Sequence, residues 1–322
     1  MRSDVSYFGV PWTVRTERLA GRPARERRVV PISLYVPCYN AEAHLARALE
    51  GVFAQTLRAD EVIVVDDGSW DRSVEIAARF PVTVLRQQQN RGLAAARNAA
   101  MRAARNELVA ALDSDVVPRP DWLERLAPHF QNAKVALGGG KLVEAVERGV
   151  ADRWRAVHLR QHWGDAAMEN PQFVFGANTL ARRSVVVDAG GYDERLRTNG
   201  EDVHLSQRLR ERGWTTFYEP AAQCAHLRQD TVWTALETYW RYRRDYLNPM
   251  TPGKIWRAFR YQHIGSARHI LREDLRERRY EFLGMDALLL FASSWNDARV
   301  WRSRPLAAGG RHSEAPSSEV TS

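Results

Sequence analysis

Between residues 31 and 112, short runs of mostly apolar residues alternate with segments of helical periodicity. The predicted strands are 31–36, 61–65, 82–85 and 108–112, and the predicted helices are 42–55, 73–80 and 93–105. Strands that alternate with helices in this way form right-handed βαβ units around a parallel sheet. The alternation therefore predicts an α/β fold in which helices flank a mostly parallel sheet.

Beyond residue 120 the pattern is less regular. The predicted helices there are 122–130, 150–163 and 203–212, and the predicted strands are 135–143 and 215–225. From residue 231 to about residue 302 the sequence becomes helical, aromatic and basic. We expect a basic N-terminal arm at 1–30, a catalytic domain at 31–230, a C-terminal helical extension at 231–304 and a disordered tail at 305–322.

The cysteines and the apolar runs bear on where the chain works. The two cysteines, Cys38 and Cys224, stand in no C-x-x-C spacing, which argues against a disulfide framework or a zinc cluster. No run approaches the ~20 apolar residues that span a bilayer. We therefore expect a cytoplasmic protein, with peripheral attachment to the inner face of the membrane as an option.

The charge of the chain is concentrated in two segments. The formal net charge is +8, and segments 1–28 and 231–280 hold the basic excess. Two explanations remain open, a general preference for arginine over lysine and a partner that carries phosphate or an anionic membrane surface. In the second segment Arg241 and Arg244 would share one helical face, where they could bind a diphosphate or a phospholipid headgroup. The alternative is a solvated basic face.

The sharpest local signal is Asp113-Ser-Asp115 at the end of the fourth predicted strand. In parallel sheets, ligands bind at the carboxyl ends of the strands. Two carboxylates separated by one residue can face a single point, which suits a hard Mg²⁺ or Mn²⁺ ion. The alternative is an ordinary solvated turn.

Two further acidic motifs allow both a structural and a functional interpretation. The pair Asp66-Asp67 follows the second strand and could bind a nucleobase or a ribose, or Asp67 could cap the next helix. Asp202 opens a predicted helix, where it could act as a general base or interact favourably with the helix dipole. Spacing alone does not separate these alternatives.

Five motifs follow one another in order along the chain. They are Val36-Pro-Cys-Tyr-Asn40, Glu61-Val-Ile-Val-Val-Asp-Asp-Gly-Ser69, Asn90-Arg-Gly92 with Ala96-Arg-Asn98, Leu112-Asp-Ser-Asp115 and Gly200-Glu-Asp202. In this order they resemble the motifs of family 2 glycosyltransferases over about residues 30–230. The resemblance implies the GT-A nucleotide-sugar-binding fold and an inverting transfer from a nucleoside diphosphate sugar.

The resemblance also implies roles for individual residues. Asp115 would ligate the metal, Asp113 would lie nearer the donor ribose or a metal-bound water, and Asp202 would be the catalytic base. His226 stands where many relatives of this fold complete the metal shell with a histidine, and the alternative is a partly buried structural histidine. The residues implied at the donor are Pro37, Tyr39, Asn40, Asp66, Asp67, Arg91, Gly92, Asp113, Gly176, Asn178 and Glu201.

The sequence departs from the processive members of that family. The motif Gln-x-x-Arg-Trp is absent, and so are multiple membrane-spanning segments. We therefore expect a single sugar, most simply from a UDP-sugar, to be added to a hydroxyl of a glycan, glycolipid or small-molecule acceptor, with Mn²⁺ or Mg²⁺ as cofactor. The alternative is a non-catalytic module that binds a nucleotide sugar or a membrane surface. No nucleic-acid partner is expected.

An aromatic and basic cluster between residues 147 and 175 is the candidate acceptor site. It contains Trp154, His158, Arg160, His162 and Trp163. Such a cluster is typical of carbohydrate contacts, but it is equally typical of core packing.

Overall fold

The computed structural model describes residues 31–197, 199–243 and 251–302. The predicted arm at 1–30 and tail at 305–322, as well as Arg244, lie outside the described residues. The chain divides into two compact units between residues 247 and 248. The helix Val232–Arg243, which we expected at the start of the C-terminal extension, therefore belongs to the first unit.

A mixed sheet occupies the centre of the first unit. Its strands are β1 (Ile32–Cys38), β2 (Glu61–Asp66), β3 (Thr83–Arg86), β4 (Leu108–Leu112), β5 (Val116–Pro118), β6 (Val135–Glu144), β7 (Met168–Glu169), β8 (Asn178–Arg182) and β9 (Thr215–His226). They are ordered β3-β2-β1-β4-β8-β6-β9-β5, with β7 paired to β9.

Helices cover the sheet and make up the second unit. They are α1 (Leu45–Phe53), α2 (Ser73–Ala77), α3 (Leu93–Ala103), α4 (Trp122–Leu126), α5 (Val150–His158), α6 (Arg183–Asp188), α7 (Glu201–Glu211), α8 (Val232–Arg243), α9 (Pro252–Arg257), α10 (Ile264–Arg276) and α11 (Leu283–Arg302). A 3₁₀ turn at Ala127–Gln131 extends α4. Among the described residues, no helix is long and apolar enough to cross a membrane.

The predicted parallel arrangement is present in the half of the sheet formed by β3, β2, β1 and β4. In the other half, β8 runs antiparallel to β4 and β6, β6 runs parallel to β9, and β5 and β7 run antiparallel to β9. The predicted βαβ units thus account for one half of the sheet, and the expectation of a mostly parallel sheet holds only there.

Both faces of β1, β2 and β4 are buried, which explains why these strands are mostly apolar, whereas the edge strand β3 is partly exposed. In β1, Leu34 and Val36 pack into one core layer, whereas Tyr35 packs into the layer on the opposite face. Strand β4 divides in the same way, with Ala110 in the first layer and Ala111 in the second. Successive side chains point to opposite faces of a strand, so helices on both sides require apolar residues throughout.

The predicted elements 150–163 and 42–55 are longer than the helices that form. Helix α5 ends at His158, after which the chain turns so that the indole of Trp163 can donate a hydrogen bond to the Phe173 carbonyl, at 2.8 Å. Helix α1 begins only at Leu45, because Ala41 and His44 form a preceding turn. Strands β5, β7 and β8 and helix α6 were not predicted, since each is too short to show a clear periodicity.

Candidate active site

A cavity of about 540 Å³ opens at the carboxyl ends of the parallel strands. It is lined by Pro37, Cys38, Tyr39, Asp67, Asn90, Gly92, Leu93, Ala96, Asp113, Ser114, Asp115, Arg197 and Arg241. This is the edge at which the sequence predicted a ligand site. Carboxylates and guanidinium groups from distant parts of the chain therefore face one space.

The turn Asp113-Ser114-Asp115 follows β4 directly and forms one wall of the cavity. Backbone hydrogen bonds hold it at both ends. The Asp113 amide donates to the Ala177 carbonyl at 3.0 Å, and the Leu227 amide donates to the Asp115 carbonyl at 2.8 Å. Both carboxylates are thus presented from a turn that is tied to neighbouring backbone.

His226, at the end of β9, contacts this turn. Its Nε2 lies 3.3 Å from Oδ2 of Asp115, and its Nδ1 lies 3.1 Å from Oε1 of Glu144. The Arg155 guanidinium approaches the same Nδ1 at 3.1 Å, but it already donates to Glu144 and Asp230. We therefore assign the Nδ1 proton to a hydrogen bond that His226 donates to Glu144, which directs Nε2 toward Asp115.

The charged side chains around His226 and Asp115 shift the pKa values of both residues. Burial alone would lower the pKa of His226, but the carboxylates of Asp115 and Glu144 raise it to about 9. Burial alone would raise the pKa of Asp115, but the adjacent His226, Arg228 and Arg155 hold it below its usual range. Metal-free protein at neutral pH therefore holds an imidazolium between two carboxylates.

The ligand types of Asp113, Asp115 and His226 suit a divalent cation, although His226 itself does not line the cavity. Asp113 and Asp115 offer carboxylate oxygens to the cavity, and His226 directs a ring nitrogen to the same carboxylate of Asp115. A Glu144 carboxylate behind the imidazole is the usual outer partner of a metal-bound histidine. Glu144, the last residue of β6, was not predicted, because it lies outside the acidic motifs of the sequence.

Asp67 lines the cavity and accepts hydrogen bonds from the loop that contains Arg91 and Gly92. Its Oδ1 accepts the Arg91 amide at 2.8 Å and its Oδ2 accepts the Gly92 amide at 2.8 Å. Gly92 has φ +97°, and an added Cβ would meet the Arg197 carbonyl oxygen at 2.6 Å. Burial raises the pKa of Asp67, although the two amides counteract it. The Arg91 side chain points elsewhere, to Glu194 at 3.0 Å.

Asp66 and Asn178, both predicted at the donor, do not line this cavity. The Asp66 side chain is fully buried, where it accepts the Ser69 amide at 3.2 Å and lies 3.5 Å from Nε of Arg86. Asn178 is also fully buried and accepts the Gly140 amide at 2.8 Å, between β8 and β6. The structure indicates that both side chains stabilise the sheet.

Pro37 and Tyr39 line the cavity as expected, and Tyr39 is exposed. Asn40 does not line it. Its backbone has φ +50°, its amide donates to Oγ of Ser69 at 2.9 Å and its side-chain oxygen accepts the Trp70 amide at 3.1 Å. Asn40 therefore joins the loop after β1 to the loop after β2.

Asp202, on the first turn of α7, does not line the cavity and is connected to Asp113 through Gly176 and Arg97. Its Oδ2 accepts the Gly176 amide at 2.9 Å and its Oδ1 accepts the Val203 amide at 2.8 Å. A Cβ added at Gly176 would meet Nη2 of Arg97 at 3.0 Å and Cβ of Asp202 at 3.3 Å. Gly176 thus fits tightly between the arginine and the carboxylate. Burial raises the pKa of Asp202, although the amide hydrogen bonds oppose it.

The buried Arg97 connects these groups. Its guanidinium donates to Oδ1 of Asp113 at 2.9 Å and to the Gly176 carbonyl at 2.7 Å, and its Nε lies 3.5 Å from Glu201. Glu201 is itself buried and does not line the cavity, and burial beside Asp202 raises its pKa. The sequence pointed to Arg97 only as part of the motif Ala96-Arg-Asn98, and its hydrogen bond to Asp113 was not predicted.

Two basic residues line the cavity outside the predicted donor set: Arg197, which was not predicted, and Arg241, which the sequence offered as a ligand of a diphosphate or a phospholipid headgroup. Arg241 comes from α8, and its guanidinium donates to Oγ1 of Thr238 at 3.0 Å. Arg197 donates to the Asn90 carbonyl at 2.7 Å. The basic, aromatic run around Arg241 was the available signal, and the contact of that helix with the cavity could not be predicted from spacing.

The candidate acceptor cluster is largely a packing cluster. Trp154 is fully buried, with its ring 5.6 Å from Tyr239 and 4.9 Å from His158. The Trp163 ring lies 5.1 Å from Phe173. These contacts favour the packing alternative for both tryptophans, and none of the five predicted residues lines the cavity.

Comparison with known proteins identifies relatives of this chain. The family model described as "Glycosyl transferase family 2" matches residues 33–189. The chain is 36% identical over 204 residues to the pre-mycofactocin glycosyltransferase of Mycobacterium tuberculosis, a match that covers 61% of this chain and 42% of that protein. It is 30% identical to glycosyltransferase AglE of Haloferax volcanii, covering 60% of this chain and 66% of that protein. The chain therefore spans less than two thirds of the length of these relatives.

Solved structures show the same fold. The mannosyltransferase PcManGT from Pyrobaculum calidifontis, in complex with GDP-Man and Mn²⁺, matches with a TM-score of 0.54 and 17% identity over 85% of this chain and 88% of that chain. GalNAc-T7 with UDP, GalNAc and Mn²⁺ matches with a TM-score of 0.53 and 16% identity over 72% of this chain and 54% of that chain. The predicted GT-A fold is confirmed.

Proposed function

The chain belongs to glycosyl transferase family 2, and from this premise we propose that it is an inverting, metal-dependent glycosyltransferase. It would transfer one sugar from a nucleoside diphosphate sugar, with UDP as the first nucleotide to test, to a hydroxyl of a glycan, a lipid-linked glycan or a small molecule. One observation carries the proposal. Asp67, Asp113 and Asp115 line one cavity together with Arg197 and Arg241. That combination suits a diphosphate and a cation together.

The donor would lie along this cavity. Asp67 and Tyr39 stand at the end that would receive the nucleoside, and the Asp113 and Asp115 carboxylates stand at the wall that would receive the metal. Arg197 and Arg241 supply the positive charge that a diphosphate attracts. Two structural neighbours were solved with Mn²⁺, one together with GDP-Man and the other with UDP and GalNAc, which supports the same arrangement here.

The ligand types favour Mn²⁺ over Mg²⁺ for this site. Mg²⁺ is bound almost wholly by oxygen, whereas a ring nitrogen suits a transition metal better. Asp115 and Asp113 would hold the ion and His226 would complete its shell through Nε2. A bound cation would neutralise the negative charge of the departing diphosphate.

The chain itself would supply the base and the orientation. Asp202 would accept the proton of the acceptor hydroxyl through Oδ2 or Oδ1, after which the hydroxyl oxygen attacks the anomeric carbon opposite the departing diphosphate. The raised pKa of Asp202 favours this role, because a stronger base accepts a proton more readily. Arg97, which contacts both Asp113 and the Gly176 carbonyl, would fix the distance between the donor site and the base.

Turnover with a panel of UDP-, GDP- and dTDP-sugars, with and without EDTA, tests the proposal. We expect release of nucleoside diphosphate from at least one donor and its loss with EDTA. Asp202→Asn should lower the turnover number by a factor of about 100 or more while the affinity for the nucleotide changes little, because only the base is removed. A wild-type rate in Asp202→Asn would refute the assignment of the base. Binding of a donor without any turnover would favour the non-catalytic module.

A further inference from the structure

Helix α11 presents apolar side chains outward. Leu288, Phe291 and Trp295 are 48%, 61% and 49% exposed. At 100° per residue, these three and the exposed Arg299 and Arg302 lie within about 80° of arc on one side of the helix. They form a continuous exposed stripe from residue 288 to residue 302, which we call the α11 stripe.

The opposite side of the same helix is polar and buried. Asp286, Ser293 and Asp297 lie there, each at most 4% exposed. The Asp297 carboxylate lies 2.7 Å from Nε2 of the buried His263, which fixes this face inward. Met285, Leu289 and Ala292 are buried as well, so α11 has apolar residues on its outer face in addition to its inner one. A helix on the surface of a water-soluble domain has a polar outer face, and the exposed apolar stripe therefore indicates a non-aqueous partner.

The charges of α10 and α11 indicate which partner. The exposed residues of α11 include two arginines and no acidic residue. On α10, the exposed Leu271 and Leu275 alternate with Arg268 and Arg272 along one face, whereas the neighbouring Arg276 is paired with Glu277 at 3.0 Å. Apolar side chains interleaved with arginines suit an anionic lipid surface, where the rings enter the interface and the guanidinium groups meet the headgroups.

We propose that the α11 stripe, together with the arginine face of α10, binds the surface of an anionic bilayer. The helix would lie in the plane of the interface, with Phe291 and Trp295 inserted and Arg299 and Arg302 at the phosphate level. A second protein copy would need acidic side chains opposite the arginines, and α11 itself offers none on this face. The proposal does not depend on sugar transfer.

Vesicle sedimentation with the full chain tests the proposal. The probes are vesicles of phosphatidylcholine alone and vesicles with about 30% phosphatidylglycerol. We expect at least about tenfold tighter binding to the anionic vesicles, falling as salt is added. The double variant Phe291→Ser/Trp295→Ser should bind them about tenfold more weakly, and Arg299→Gln/Arg302→Gln should lose most of the preference for anionic lipid.

Two controls keep the result interpretable. Trp70→Ser removes an aromatic side chain that is 81% exposed in the first unit, and it should bind vesicles like the wild type. Circular dichroism should show unchanged helix content in each variant. Equal binding by the wild type and the stripe variant would overturn the proposal. It would also be overturned if sedimentation velocity showed a dimer that the stripe variant abolishes, since the stripe would then cover a second copy.

Discussion

At the residue scale, the site combines groups that local motifs predict with groups that they cannot. Asp113, Asp115 and Asp67 were predictable because each follows an apolar strand at the ligand-binding edge of a parallel sheet. Glu144 and Arg155 were not, because their contacts with His226 connect β6 and α5 to β9 across more than 70 residues. No local pattern records such pairings.

Glu144 should govern metal binding although it faces away from the cavity. Replacing it with glutamine removes the carboxylate that accepts the Nδ1 proton of His226, at 3.1 Å. We expect Glu144→Gln to weaken Mn²⁺ affinity about 10- to 100-fold, as is usual for such outer partners. Isothermal titration calorimetry with Mn²⁺ alone measures this directly. Glu147→Gln, only three residues along the chain, serves as the control, and equal affinities in both variants would contradict the role of Glu144.

The raised pKa of His226 predicts that metal affinity depends on pH. The ring must lose its Nε2 proton before that nitrogen can bind a cation. Because neighbouring carboxylates raise the pKa of His226 to about 9, Mn²⁺ affinity should increase about tenfold per pH unit from pH 6.5 toward pH 9 and then level off. Calorimetric titrations at several pH values test this. His226→Gln should flatten the dependence, and a flat profile in the wild type would contradict the prediction.

At the element scale, the parallel half of the sheet was predictable and the mixed half was not. Strands β1, β2 and β4 were predictable from their mostly apolar runs, because helices bury both of their faces, and the short edge strand β3 was predictable from its apolar residues Val84 and Leu85. Strands β5 and β7 have three and two residues, too few for a reliable period, and the five residues of β8 include Asn178, Thr179 and Arg182 and so form no apolar run. Their pairing with β9, β6 and β4 depends on contacts that only the folded chain makes.

Strand β6 contains three consecutive glycines that affect how closely neighbouring segments pack against it. Gly138 and Gly140 allow β9 to approach closely, and a Cβ added at Gly140 would lie 1.9 Å from the Ala222 carbonyl oxygen. Gly140→Ala should therefore lower the free energy of unfolding by about 3 kcal/mol, because rigid backbone must shift. Urea unfolding measures the change.

A glycine in open space provides the control for that substitution. A Cβ added at Gly265, within α10, meets nothing within 4 Å. Gly265→Ala should raise stability slightly or leave it unchanged, by up to about 1 kcal/mol, since alanine favours the helix. Equal urea midpoints for Gly140→Ala and the wild type would show that the tight contact between β6 and β9 is not needed.

At the scale of the whole molecule, the sequence placed the end of the catalytic domain at residue 230, whereas the structure divides the chain after residue 247. The difference is α8, whose basic and aromatic composition resembles the extension that follows. Its packing assigns it to the first unit, since Tyr239 contacts Trp154 of α5 and Arg241 lines the cavity. The composition of a helix does not show which core the helix packs into, and its side-chain contacts do.

The central claim concerns the whole molecule. It is that acidic side chains from separate motifs hold a divalent cation together with a nucleoside diphosphate. The most direct test is calorimetric titration of UDP, GDP and dTDP into the protein with Mn²⁺ or with EDTA, for the wild type and for Asp115→Asn. We predict that at least one nucleotide binds tightly only with Mn²⁺ and that Asp115→Asn loses this gain, because a main metal ligand is removed. Equal nucleotide affinity with Mn²⁺ and with EDTA, or an undiminished Mn²⁺ effect in Asp115→Asn, would contradict the account.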